Sequence, residues 1–254
     1  MRNGVLDRVE PRTDKRDGDG WDGRRSTGTG TAIEVHPAPV FLVLVGVSIL
    51  LATADLVSYA LNGVIGSDQV RRVLDVDEES SIPTWFSSAQ LLLASALLFL
   101  VAFIKSRTGE RYTGHCLVLG LIFMGLSIDE MVSIHEQATL ALNFEIRGLN
   151  GASWIAIGVP LVLAVALAYR GFVMDLPQRS RLLLVLAAGT FVGGAIGVEM
   201  LDAITQAAYL ELSVTHTLVV ATEESLERLG IAIFIFWLLS YIRDELGVNR
   251  VRLG

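Results

Sequence analysis

The chain has 254 residues, 52% of them hydrophobic, with a mean hydropathy of +0.54 and a formal net charge of −7. The acidic balance excludes a nucleic-acid binder, which needs a basic surface to meet phosphates. The lone Cys116 excludes an internal disulfide and any cysteine-rich zinc site.

Residues 1–36, rich in Gly, Asp, Arg and Thr and without an aliphatic run, cannot bury enough apolar surface to offset chain entropy and read as a disordered cytoplasmic tail. Six apolar stretches of spanning length follow: Pro39 to Leu61, Pro83 to Ile104, Cys116 to Thr139, Ala152 to Tyr169, Arg181 to Ala208 and Thr215 to Ile242. The expected fold is an all-α membrane protein, a six-transmembrane-helix bundle over residues 37–246, with a cytoplasmic C-terminal tail at 247–254. The first span reads as an uncleaved signal anchor, because no separate h-region precedes it. Sixteen of the twenty basic residues fall in the N-terminal tail, the second-to-third loop (Lys105, Arg107, Arg111), the fourth-to-fifth loop (Arg170, Arg179, Arg181) and the C-terminal end (Arg243, Arg250, Arg252). The positive-inside rule then places both termini in the cytoplasm. With only Lys15 and Lys105 as lysines, the arginine excess fits a GC-rich bacterial genome, and the expected location is the bacterial plasma (inner) membrane. Trp85 and Trp154 near the outer boundary, with Trp237 and Tyr241 near the inner one, read as an aromatic belt.

Against this apolar background three spans carry clustered carboxylates: Asp129, Glu130 and Glu136 in the third, Glu199 and Asp202 in the fifth, and Glu223, Glu224 and Glu227 in the sixth. Each charge near the membrane centre costs roughly 3 kcal/mol on insertion scales, so eight without partners would cost on the order of 25 kcal/mol. Counting roughly 1.5 Å per residue along each span brings all three clusters to one layer in the outer half of the bilayer. Asp55 of the first span and Ser87, Ser88 and Gln90 of the second reach the same layer. The fourth span has no ionisable residue between Trp154 and Tyr169 and reads as scaffold, with a kink expected at Pro160.

Helical phase puts Asp129, Ser133 and Glu136 on one stripe, with Glu130 about 100° to one side and His135 about 120° to the other, on a mostly apolar arc. On the fifth span Glu199, Asp202 and Gln206 share a face. Gly189, Gly193 and Gly197 form a small-residue stripe nearly opposite, of the kind that lets helices pack closely. On the sixth, Glu223, Glu224 and Glu227 occupy one arc. His216 lies seven residues before Glu223, and Arg228, four after Glu224, can pair with one carboxylate at a time. The loop acids Asp68, Asp75, Asp77, Glu78 and Glu79 read as a solvated outer face that raises the local cation concentration.

Carboxylates this close in a low dielectric cannot all ionise, and a divalent cation removes the conflict. The expected metal ligands are Asp129, Glu136, Glu199, Asp202, Glu224 and Glu227 with His135 and His216, while Glu130 and Glu223 are the expected catalytic carboxylates. Oxygen donors with one or two imidazoles suit Fe, Mn, Mg or Ca, or Zn if both histidines engage. The function read from this pattern is a metal-dependent membrane enzyme, a hydrolase or oxidoreductase, acting on a lipid or isoprenoid substrate at the outer leaflet. The bilayer is its one assured partner, and its oligomeric state is open. A cation- or proton-coupled membrane transporter is the alternative. A haem held by His135 and His216 comes third.

Glu223, Glu224 and Arg228 also spell EExxxR, which resembles the first motif of the CAAX-type intramembrane metalloproteases, where the glutamates serve metal binding and water activation. The likeness covers six residues. That family also carries histidines on later helices, and none follows here. The Glu-x-x-His pairs of soluble di-iron bundles are absent, with Val132 and Ser213 standing where the glutamates would be.

Overall fold

The computed structural model describes residues 32–34, 36–65, 68–76, 78, 80–135, 137, 153–201, 203, 214–247 and 250–252. Among them are seven α-helices and a two-stranded sheet, in the order β1 (Ala32–Glu34), α1 (Pro37–Ile65), α2 (Asp68–Leu74), α3 (Ile82–Thr108), α4 (Thr113–Val132), α5 (Ile155–Asp175), α6 (Gln178–Val192), a π-helical turn (Gly193–Val198), α7 (Val214–Asp244) and β2 (Arg250–Arg252). All the α-helices but α2 are long and apolar enough to cross a membrane, α6 counting through the π turn to Leu201. The architecture fits a multi-pass membrane protein. β1 pairs antiparallel with β2, Ile33 opposite Val251, so the segment before α1 meets the segment after α7.

α7 is the central helix. Of its most apolar stretch 61% is buried, against 11% for α5 and α6, and it packs on α1, α3, α6 and the π turn. α3 starts where Ser81 Oγ accepts the Thr84 N–H at 3.2 Å, with Pro83 in the first turn, and stops at Gly109, whose φ of 70° needs no side chain. α3 is stitched to α4 by small polar residues: Ser88 Oγ donates to the Ser127 carbonyl at 2.7 Å, Ser127 Oγ to the Ser88 carbonyl at 2.9 Å, and Ser95 Oγ to the Gly120 carbonyl at 2.8 Å. α5, with Pro160 inside it, lies at the edge of the bundle against α6 and the π turn.

The main core fills the half of the bundle that ends in basic residues. Leu91, Leu98 and Val101 of α3 meet Ile231, Phe234, Ile235 and Leu238 of α7, with Phe172 and Leu184 closing the sides. Trp237 and Tyr241 belong to this core, their rings tilted at 33° with centroids 5.5 Å apart, and do not form an inner aromatic belt; Trp85 alone among these keeps the exposed position expected at a boundary. The glycine stripe is also corrected. Among the described residues nothing lies within 4 Å of a Cβ built on Gly189, Gly193 or Gly197, and the close crossing of α6 and α7 is made by Gly230, where a Cβ would lie 2.6 Å from the Phe191 backbone nitrogen. The third span is shorter than the hydropathy run: α4 ends at Val132 because Ser133 turns left-handed, φ 47°.

At the basic end the polar groups pair with one another. Lys105 is buried yet donates to Glu110 at 2.8 Å, and that ammonium holds the Glu110 carboxyl below the usual carboxylate range. Tyr112 donates to Asp175 at 2.6 Å, a bond that pushes its phenol up. Trp237 Nε1 donates to Ser180 Oγ at 2.7 Å.

Candidate functional site

The opposite half is organised around Arg228. Its side chain is 0% exposed, and Nη1 donates to Glu224 Oε2 at 2.9 Å, the single i,i+4 pair that the spacing predicts. Its Nε and Nη2 have no hydrogen-bond partner among the described residues. Glu227, one residue earlier, lies within electrostatic reach of Glu223, Glu224 and Arg228 on its own helix and of Glu130 on α4. Glu130 in turn feels Arg228, His135 and Asp129, and sits beside Ser87 of α3. Ser87 Oγ stops short of hydrogen-bond geometry with it. Two helices, α4 and α7, thus bring Glu130, Glu224, Glu227 and Arg228 into one charged layer.

α1 and α3 complete that layer with uncharged or lone polar groups. Asp55 takes the Val76 backbone N–H and lies within range of Arg228, while its Oδ2 is unpartnered. Gln90, 2% exposed and one turn beyond Ser87 on the same face of α3, has neither amide oxygen nor amide nitrogen paired among the described residues. Each such buried atom costs about 1–3 kcal/mol if nothing meets it. Buried polar groups in folded proteins are met by protein, water or ligand.

Asp129 and His135 form a second constellation at the end of α4. The regular helical phase is broken at Ser133, which adopts a left-handed conformation with φ 47°. His135 then donates its backbone N–H to Asp129 Oδ1 at 2.9 Å and brings Nδ1 to Oδ2 at 2.9 Å. His135 therefore reaches the acidic stripe that an unbroken helix would have turned it away from. The two side chains are 36% and 27% exposed, and the Trp154 ring stands edge-on to the imidazole at 5.2 Å.

The π turn seats the fifth span against the glutamates. Three glycines among Gly193–Gly197 weaken the α-helix and admit the wider turn. Gly194 then touches α7 so closely that a Cβ would lie 3.0 Å from both the Glu223 carbonyl oxygen and Glu227 Cγ. Glu199 follows the turn half-buried, and His216 is half-buried two helical turns before Glu223. Glu136 and Asp202 lie outside the described residues. Among the described residues, no three His, Cys, Asp or Glu side chains gather closely enough to hold a metal ion. Asp129 is engaged with His135 and Glu224 with Arg228 instead. Sequence reasoning missed Gly194 and Gly230 as the contact glycines. An isolated glycine within an apolar helical run, as at Gly230, is the signal that marks such an approach.

Fold and site define a helical, multi-pass bundle with a charged layer buried in one half, where Arg228 keeps Nε and Nη2 unpaired among the described residues. The chain belongs to the family described as a domain of unknown function, DUF8692, whose model matches residues 39–242. No curated protein and no solved structure matches it.

Proposed function

We propose that this protein is an enzyme of the bacterial plasma membrane whose site is the charged layer in the outer half of the bilayer, acting there on a lipid or isoprenoid with the help of a divalent cation. The observation that carries the reading is the crowding of buried carboxylates: among the described residues Glu227 lies within electrostatic reach of Glu130, Glu223 and Glu224, while the nearby Arg228 guanidinium donates to Glu224. A cation offsets the remainder, and bound there it polarises an ester or phosphate oxygen and lowers the pKa of water. Glu227 and Glu224 on one helix face, with Glu199 beyond the π turn, are its holders in this reading. Glu130, facing Ser87 from α4, takes the proton. The cation rests on charge balance and not on an assembled ligand set; Glu136 and Asp202, from the same sequence clusters, are its further candidates. The paired chain ends support placing both termini on one side, which the basic residues assign to the cytoplasm.

The transporter alternative needs a polar path from this layer to the basic end. What lies there is the apolar core, with a void of about 10 Å³ among Leu98, Val101, Cys116, Phe172 and Trp237, at the lower limit for a single water. Elemental analysis of the purified chain, with ion flux measured in proteoliposomes, tests the reading. Bound Fe, Mn, Zn or Ca without flux above protein-free vesicles is the expected result. A Ca²⁺, Mn²⁺ or proton flux abolished by Glu227→Gln would make it a transporter.

A further inference from the structure

At the basic end, remote from the charged layer, a groove of about 530 Å³ opens between α6 and α7, lined by Gln178, Arg179, Leu182, Leu183, Leu186 and Phe236. We propose that this groove seats one anionic phospholipid, its phosphate on Arg179 and an acyl chain along Leu182, Leu186 and Phe236. The volume falls within the range of about 300–1,000 Å³ typical of small-molecule sites. The lining is amphipathic in the sense a lipid requires. Gln178, Leu182 and Leu186 recur every fourth residue along one face of α6, so the groove passes from a polar mouth to an apolar floor roughly 12 Å deeper. Its floor is fixed, because Phe236 packs on Phe41 of α1 at 5.5 Å. Its wall is open, with Leu182 62% and Leu186 55% exposed.

Charge selects the headgroup. Arg179 is exposed and lies within range of Asp244, but Arg243 already holds that carboxylate with bonds of 2.6 and 3.0 Å, which leaves the Arg179 guanidinium open to an anionic headgroup. An arginine at a helix end keeps its stem along the apolar surface and its guanidinium at headgroup level, and basic pockets between spanning helices take anionic headgroups. Phosphatidylcholine offers the same phosphate but adds an ammonium beside the guanidinium. A second copy of the chain would bury Arg179 against a face where the neighbouring acid is already taken.

Native mass spectrometry of the full chain, released from detergent after exposure to phosphatidylglycerol or phosphatidylcholine, tests the proposal. The wild type should retain phosphatidylglycerol about fivefold over phosphatidylcholine, the worth of one basic residue at an anionic surface. Arg179→Gln should erase that preference, Leu186→Trp should lower retention of both lipids, and Arg107→Gln, away from the groove, should change neither. Equal retention of the two lipids by the wild type, or a preference that survives Arg179→Gln, overturns the proposal. So does a dimer in which Leu182→Cys cross-links one copy to another, since the groove would then hold a second chain.

Discussion

The two halves of the bundle share the same helices and treat buried polar groups in opposite ways. In the basic half each is paired at short range: Lys105 with Glu110, Trp237 with Ser180, Tyr169 with the His115 carbonyl at 2.8 Å, Ser95 with the Gly120 carbonyl. Around them Phe123 and Phe234 stack at 4.6 Å, and Trp237 packs on Phe234 at 5.3 Å. In the acidic half, Asp55, Ser87, Gln90 and Arg228 keep atoms without partners among the described residues. Stability alone favours leucine or methionine over an unpaired glutamine, because an apolar isostere removes the desolvation cost. The contrast separates a half that holds the fold from the half in which the proposed site lies.

The largest expected effect lies in the half that holds the fold. Trp237→Ala removes a fully buried ring from the contact of α3, α5 and α7 and should cost about 3–5 kcal/mol, read as a lowered unfolding midpoint in detergent. Gly230→Ala comes next: its Cβ would press on Phe191 backbone at 2.6 Å, and overpacking of this kind costs about 1–3 kcal/mol. A matched pair then probes the contrast itself. Ser180→Ala strands Trp237 Nε1 and should cost about 1–3 kcal/mol, whereas Gln90→Met should be neutral or stabilising in the absence of ligand. Equal losses from the two would erase the distinction between the halves.

The smallest effect is a pH dependence at the basic end. Lys105 lowers the folded-state pKa of Glu110, so this pair contributes stability above the ordinary glutamate pKa and loses it as pH falls through the lowered folded value. Glu110 is 42% exposed, so the contribution is screened by solvent. Glu110→Gln should flatten that acid limb of a melting-temperature profile and leave the neutral region nearly unchanged.

Much of the bundle was legible because a bilayer imposes long apolar runs, and the depth counts brought Glu130, Glu227 and Asp55 to one level before any contact was known. What was not legible depends on local breaks in helical phase. Ser133 adopts a left-handed turn that no composition rule announces, and through it His135 swings onto Asp129. The π turn at Gly193–Val198 likewise shifts which glycine faces α7, so the regular Gly189, Gly193, Gly197 stripe points into open space and Gly194 makes the contact. Their place near the inner boundary made Trp237 and Tyr241 read as part of an aromatic belt, yet α7 is central and buries both.

The central claim, that the charged layer is a cation site and not a self-contained network, is tested most directly by thermal unfolding of the wild type and of Glu227→Gln with and without added Fe²⁺, Mn²⁺, Zn²⁺ or Ca²⁺. At least one cation should raise the wild-type midpoint in a concentration-dependent way, approaching about 2.7 kcal/mol of stabilisation at a hundredfold excess over its dissociation constant. Glu227→Gln should abolish the response. A wild type that no cation stabilises, with Glu227→Gln more stable than the wild type, would contradict the account and make the layer a protonated structural network.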